Sequence, residues 1–166
     1  MNKKSGQQLN FGRIAGASIV LLSLLVWSAP AQSKGSKRFR AVFEAVQTGP
    51  PVASPRCAAP TLLVSFTGSG VATRLGRVTV DASHCIIDDP AETDFTNGML
   101  VISNARGQLF ATYSGTDTAG SLDGSFIITG GSGAYAGATG EGTLSGIAVA
   151  EEERGFVTLE GRIAVP

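Results

Sequence analysis

Reactive and metal-binding side chains are scarce in this sequence. Its 166 residues include one histidine, His84, two cysteines, Cys57 and Cys85, and one tryptophan, Trp27. A structural zinc site needs a closely spaced set of Cys and His ligands, and no such set is present. Thirteen Lys and Arg balance thirteen Asp and Glu, so the clustered basic excess of nucleic-acid-binding proteins is missing as well. The sequence therefore predicts neither a metal site nor a nucleic-acid partner.

Charged residues are also few, at 16% of the chain, whereas hydrophobic residues make up 43%. A disordered chain has the opposite balance, because it lacks the apolar surface needed to offset the entropy lost on folding. The composition predicts a folded protein, and the length allows a single domain.

The N-terminus has the pattern of a targeting segment. Lys3, Lys4 and Arg13 precede an apolar run over residues 14–27, and small residues then end at Ala31. A basic start, a short apolar core and an A-x-A site are typical of a secretory signal peptide. The run of about 14 residues is shorter than the roughly 20 of a membrane-spanning helix. We therefore expect cleavage after Ala31, no integral membrane anchor in the mature chain, and a secreted or periplasmic bacterial protein.

The predicted domains are a signal peptide over residues 1–31, a basic leader over 32–37 and one folded domain over 38–166. The mature chain has ten Lys and Arg against thirteen Asp and Glu, a net charge of −3. The leader contains small, polar and basic residues, which is typical of a flexible arm. Its alternatives are a solubilising linker and a contact to a membrane surface or an anionic polymer.

Alternation of apolar and polar residues over short runs is the main structural pattern of the mature chain. Period-two alternation between turn residues is typical of β-strands, whereas glycines interrupt every candidate helix. Hairpin-length links such as 68–70 and 104–107 join several of the runs. The pattern predicts an all-β protein with eight strands, over residues 38–46, 61–67, 77–85, 99–103, 108–114, 125–129, 143–150 and 156–165.

Eight sequential strands can form a sandwich or a closed barrel. Consecutive hairpins favour an antiparallel up-and-down barrel of the calycin-like kind, because each strand pairs with its neighbour and closure removes both edges. An eight-stranded barrel has an interior that side chains fill or that holds one small ligand.

The two cysteines are predicted to form a disulfide. Cys57 precedes the second strand and Cys85 ends the third, so an antiparallel hairpin brings them together in an oxidising compartment. His84 is adjacent to Cys85, and neighbouring strand residues point to opposite faces. A Cys–His nucleophilic pair is therefore excluded, and His84 is expected to be a strand-end residue with a satisfied hydrogen bond.

Acidic residues cluster in two links. The first cluster could offer oxygen ligands to Ca²⁺, but it lacks the spacing of an EF-hand loop. It contains Asp88, Asp89, Glu92 and Asp94. A second run covers 151–153. Solvated turns are the expectation for both clusters.

A glycine-rich segment covers residues 128–140. A dinucleotide-binding loop would need a following helix in a parallel βαβ unit, and no helix pattern follows, so no cofactor is expected. The expected structure is a strand that ends in a tight turn, with positive φ at Gly130 and Gly131, Gly133 in the same turn, and Tyr135 plugging the barrel end.

The same segment, ITGGSGAYAGATGEGTL over residues 128–144, resembles the glycine signature of the allene oxide cyclase-like barrels, which include dirigent proteins. Stretches 70–77, 84–85 and 112–115 are similar to those of small secreted bacterial proteins of that type. The resemblance implies an eight-stranded antiparallel barrel with a lumen. Plant allene oxide cyclases isomerise a fatty-acid epoxide and dirigent proteins orient phenoxy radicals, but their lumen residues lie outside the signature, so no catalytic residue is carried over.

The leading functional hypothesis is a non-enzymatic exported barrel that binds a small apolar ligand or serves as a structural envelope protein. One alternative is a cofactor-free isomerase or cyclase that acts on a lipid-like epoxide, which would need an acid, a base or a polar anchor in the lumen. Another is an oligomeric interaction module, because the unbroken apolar run 99–102 could place both faces of a strand in contact with protein.

Overall fold

Eight antiparallel strands close into a barrel in the computed structural model, which describes residues 35–87 and 92–166. The predicted signal peptide, its cleavage site at Ala31, and Asp88 and Asp89 lie outside the described residues. So does the side chain of Glu92. The strands are β1 (Lys37–Gln47), β2 (Leu62–Ala72), β3 (Gly76–Ile86), β4 (Glu92–Asn104), β5 (Gly107–Thr118), β6 (Ser121–Gly133), β7 (Thr139–Val149) and β8 (Arg154–Ala164), and a short 3₁₀ turn, Ala150–Glu152, joins the last two.

Each strand pairs with its neighbours in the sequence, and β8 closes the barrel by pairing with β1. Ala41, for example, lies opposite Ala72 of β2 on one side and Leu159 of β8 on the other. Closure pairs both edges of each of these eight strands. The predicted all-β, eight-stranded antiparallel barrel is confirmed.

Alternation along the strands fills the interior. In β1, the buried side chains are Phe39, Ala41, Phe43 and Ala45, and the intervening residues face outward. The apolar run of β4 follows the same rule, because Leu100 and Ile102 are buried whereas Met99 is 52% exposed. That run therefore does not have two buried faces.

Several strands extend beyond the predicted bounds. β4 begins at Glu92 rather than Met99, and β6 covers Ser121–Gly133 rather than 125–129. Polar residues and glycines conceal the extra length from a hydrophobic pattern. A β-bulge between Phe95 and Gly98 also breaks the alternation of β4.

The barrel has one filled end and one open end. At the filled end, Tyr135 is 4% exposed and belongs to the core. Its hydroxyl accepts a hydrogen bond from Nδ2 of Asn104 at 2.8 Å, and the same amide group donates to the carbonyl of Leu75. The guanidinium of Arg106 lies 5.8 Å from the centre of the Tyr135 ring. These contacts tie three hairpin links together across this end.

The glycine turn differs from the sequence prediction. Gly130 and Gly131 continue β6, and the positive φ angles occur later, at Gly133 (59°) and Gly137 (73°). Gly131 is needed for a different reason, which is close packing. A Cβ atom there would meet the carbonyl oxygen of Tyr135, and would lie 2.6 Å from the carbonyl oxygen of Gln108.

The segment 48–61 crosses the outer surface of β2 and β3. Val52 pairs with Leu63 of β2, and a disulfide joins Cys57 to Cys85 of β3 with a Cα–Cα distance of 5.5 Å. The predicted disulfide is confirmed. Because Cys85 points away from the lumen, the bond fastens this segment to the outside of the barrel wall.

An apolar stripe crosses the outer surface of four strands. Val71 lies opposite Val42, and Phe156 lies opposite Ile147. All four side chains are exposed. Assembly into an oligomer stays a prediction.

The described residues include no helix that is long and apolar enough to cross a membrane.

Candidate functional site

A cavity of about 390 Å³ occupies the half of the lumen nearest the open end. Its wall is mostly apolar, and includes the side chains Phe43, Val64, Leu100, Leu144 and Val157. Ligand sites in proteins are typically concave, largely apolar cavities of roughly 300–1,000 Å³ with a few placed polar groups. The cavity has the size and the wall of such a site.

Two neutral polar side chains meet in the wall of the cavity. His84 of β3 and Tyr113 of β5 share a hydrogen bond, with a distance of 2.8 Å between Nδ1 and the phenolic oxygen. A β-bulge between Ser83 and Cys85 shifts the register of β3 against β4 at this height. The Tyr113 ring packs across Gly98 of β4, where a Cβ atom would lie 2.6 Å from the ring. The glycine therefore lets the phenol reach across to the histidine.

Aromatic rings surround the imidazole. The ring centroids of Phe66 and Phe95 lie 5.1 and 5.3 Å from that of His84, both at tilted angles. Tyr113 meets the imidazole edge to face at 5.7 Å. This surrounding contains few groups that could solvate an imidazolium.

Burial, together with the smaller effect of the positive charge of Arg56, lowers the pKa of His84 from 6.5 to about 4. Burial also raises the pKa of Tyr113 well above its usual value, although the Arg56 charge opposes this shift. Desolvation disfavours the charged form of each group. At neutral pH the pair is therefore an uncharged imidazole and an uncharged phenol.

The neutral pair offers one hydrogen-bond donor beyond the bond that its members share, whichever tautomer His84 adopts. If the Tyr113 hydroxyl donates to Nδ1, the imidazole keeps its proton on Nε2. If Nδ1–H donates to the phenolic oxygen, the hydroxyl proton remains free. In both arrangements one N–H or O–H remains for a ligand acceptor, and no full charge is presented.

Arg56 lies on the outer side of the wall, where the disulfide at Cys57 holds its segment. Its Nη1 donates to Oγ of Ser83 at 2.9 Å and contacts Sδ of Met99. Its Nε and Nη2 are buried without a hydrogen-bond partner in the described part of the chain. The guanidinium lies close enough to act on the His84–Tyr113 pair, but it does not line the cavity.

Charged side chains line only the mouth of the cavity among the described residues. Asp117, Glu153 and Arg154 lie there, with Gln47 beside them. Arg154 forms ion pairs with Glu44 at 3.1 Å and with Glu152 at 2.7 Å. The deeper wall is uncharged.

The residues singled out in the sequence lie apart from one another. Cys57 and Cys85 lie outside the wall, and Tyr135 with Gly133 lies at the filled end. Within residues 35–87 and 92–166, no three His, Cys, Asp or Glu side chains converge as metal ligands would. His84 has the expected hydrogen bond. Its partner Tyr113 was not predicted to be a site residue. Alternation along β3 and β5 places both side chains on the inner face of the barrel, and this was the available signal.

Comparisons with known proteins support the fold alone. No protein-family model and no curated protein matches the sequence. Among solved structures, the chain resembles the pterocarpan synthase dirigent protein PsPTS1, with a TM-score of 0.51 and 14% sequence identity over 81% of this chain and 97% of that one. The chain thus has a dirigent-like β-barrel fold, in agreement with the resemblance seen in the glycine-rich segment.

Proposed function

We propose that this dirigent-like barrel is an exported, non-enzymatic protein that binds a small neutral apolar molecule in its lumen. The observation that carries the proposal is the mostly apolar cavity of about 390 Å³, with the uncharged His84–Tyr113 pair in its wall. The disulfide is consistent with export into an oxidising compartment.

The size and polarity of the cavity define the class of ligand. A cavity of about 150 Å³ holds benzene, so this volume accommodates a molecule of roughly two to three rings or an equivalent aliphatic chain. The donor from His84 and Tyr113 fits a ketone, ether, epoxide or hydroxyl oxygen. A carboxylate is disfavoured at this depth, because the neutral pair supplies no positive charge to offset its desolvation.

The experiment is a fluorescence titration with N-phenylnaphthylamine, a neutral apolar probe. We expect saturable binding by the parent protein. Ala82→Phe should abolish it, because Ala82 lines the cavity and a phenyl ring would occupy the space. Thr79→Phe is the matched control, since Thr79 lies on the outward face of the same strand and is exposed. Equal binding by both variants would contradict a luminal site.

A second candidate function is a cofactor-free isomerase or cyclase acting on a lipid-like epoxide. The His84–Tyr113 pair favours it, because a neutral phenol or imidazole can donate a hydrogen bond to an epoxide oxygen as the ring opens. Incubation with an unsaturated fatty-acid epoxide, followed by chiral chromatography, distinguishes the two functions. Product formation that is lost in Tyr113→Phe would indicate catalysis, whereas binding without turnover supports the proposed binder.

A further inference from the structure

The charges of the barrel are separated between its two ends. Consecutive strands are antiparallel. The filled end therefore contains the starts of β1, β3, β5 and β7 and the ends of β2, β4, β6 and β8. The described side chains of that half include seven cations and two carboxylates, a net charge of +5. The cations are Lys37, Arg38, Arg40, Arg74, Arg77, Arg106 and Arg162, and the carboxylates are Glu141 and Glu160; Asp81 lies at the midpoint of β3 and is counted in neither half.

The half around the cavity mouth has the opposite charge. Its described side chains include two cations and seven carboxylates, a net charge of −5. The cations are Arg56 and Arg154, and the carboxylates are Glu44, Asp94, Asp117, Asp123, Glu151, Glu152 and Glu153. A separation of this kind orients a protein in an electric field even when its total charge is small.

The cations at the filled end are exposed and largely free of carboxylate partners. Arg40 pairs with Glu160 at 2.9 Å. The other six have no ion pair among the described residues. Arg74 and Arg106 lie in hairpin links, Arg162 donates to Ser36, and Lys37 begins β1. Their shared feature is an exposed position around one rim, and we call these six residues the basic rim.

We propose that the basic rim docks on an anionic phospholipid surface, with the cavity mouth directed away from it. Basic residues near an anionic bilayer are attracted by its surface potential, and the attraction decays within a Debye length. A mature chain with a net charge of −3 would otherwise be repelled by such a surface. Docking through the filled end reduces this repulsion, because it places the acidic half of the barrel farthest from the lipid.

The end of the barrel at which β1 begins favours lipid over other anionic partners. The apolar run 14–27 precedes β1 by nine residues, 28–36. Since β1 begins at the filled end, the chain enters the barrel beside the basic rim. A chain that is tethered to a membrane by its signal segment during export would therefore present this rim to the lipid first.

Vesicle flotation tests the proposal with the protein in the form that the cell exports, its N-terminus read by mass spectrometry. We compare vesicles of phosphatidylglycerol and phosphatidylcholine in roughly equal parts with vesicles of phosphatidylcholine alone. The parent should float with the anionic vesicles, and should be released at roughly 1 M salt, where the Debye length falls to about 3 Å. Any retained apolar segment would bind both vesicle types, so the ratio between them isolates the effect of charge.

Two matched variants locate the contact. Arg74→Asn with Arg77→Gln removes two charges from the rim, and Asn tolerates the positive φ of 70° at Arg74. The control, Ser121→Glu with Ser145→Glu, changes the net charge equally but adds its carboxylates on outward positions of the mouth half. Each rim charge contributes roughly fivefold to partitioning. We therefore expect a loss of about 25-fold for the rim variant and little change for the control.

Three results would overturn the proposal. The first is equal loss in both variants, which would show a response to net charge alone. The second is equal flotation of the parent with neutral and anionic vesicles. The third is capture by dextran sulfate beads without any binding to anionic vesicles, which would indicate an anionic polymer as the partner. Far-ultraviolet circular dichroism of each variant establishes that the barrel is folded.

Discussion

Asn104 of β4 donates a hydrogen bond to the hydroxyl of Tyr135, at 2.8 Å, across the filled end of the barrel. We expect Tyr135→Phe to lower the free energy of unfolding by about 1 kcal/mol, because it removes this bond and leaves the ring in place. Tyr135→Ala should cost about 3–5 kcal/mol, since it also empties a buried site. Thermal or urea unfolding measures both values. A Tyr135→Ala variant as stable as the parent would contradict the role of this side chain as a plug.

Gly131 and Gly130 offer a matched pair for a packing test. A Cβ atom at Gly131 would lie 2.9 Å from Cβ of Tyr135 and would also crowd two carbonyl oxygens, whereas at Gly130 the nearest atom is 4.0 Å away. Gly131→Ala should therefore destabilise the protein by roughly 1–3 kcal/mol, with a larger loss for Val, and Gly130→Ala should be close to neutral. Urea unfolding of the alanine variants checks the difference. Equal free energies of unfolding for the two variants would contradict the predicted cost of steric crowding at Gly131.

The disulfide between Cys57 and Cys85 should stabilise the protein by about 3–4 kcal/mol, because it closes a long loop in the unfolded chain. We expect no thiol to react under denaturing, non-reducing conditions, and two to react after reduction. The double variant Cys57→Ala with Cys85→Ala should unfold at lower urea. Two labelled thiols before reduction would show that the protein lacks the bond.

Burial of His84 predicts a specific pH dependence of stability. The pKa of this residue is about 4 in the folded protein and 6.5 as its ordinary value, so the unfolded state binds more protons between these limits. The contribution to stability is therefore complete above pH 6.5, and falls by up to about 3 kcal/mol as pH decreases toward 4.

The variant His84→Gln isolates this term, because the carboxylates that titrate in the same range are unchanged. The difference in unfolding free energy between parent and variant should shift by that amount between pH 7 and about 4. Nuclear magnetic resonance titration of the one imidazole provides an independent value. A difference that stays constant with pH would mean that His84 is charged or solvated in the folded state.

The sequence predicted the barrel because its strands obey a period-two rule that depends on local residues alone. In the predicted third strand, 77–85, alternation puts Val78, Val80, Ala82 and His84 on one face, and this face lines the interior. The turn at Gly130 was wrong for a related reason. A glycine can be required by positive φ or by the close approach of another chain segment, and the sequence does not distinguish these causes. Here the approach comes from Tyr135.

Alternation places His84 and Tyr113 on the inner face of the barrel, but it does not predict that the two side chains meet. Whether they meet depends on the register of β3 and β5 relative to β4, which lies between them. Bulges at Ser83–Cys85 and at Phe95–Gly98 shift that register. Neither bulge follows from a hydrophobic pattern. The charge separation, in contrast, follows from the sequence once the topology is known, because each hairpin link then belongs to a defined end.

The pairing of β1 with β8 makes the first and last strands of the domain mutual partners. During synthesis β1 emerges first, and its second neighbour, β8, is the last strand to be made. A chain cut before Arg154 would not form a smaller barrel. It would be an open, curved sheet with two unsatisfied edges, and each edge could recruit a strand from another molecule. The chain therefore needs β8 to pair all of its strand edges within one molecule.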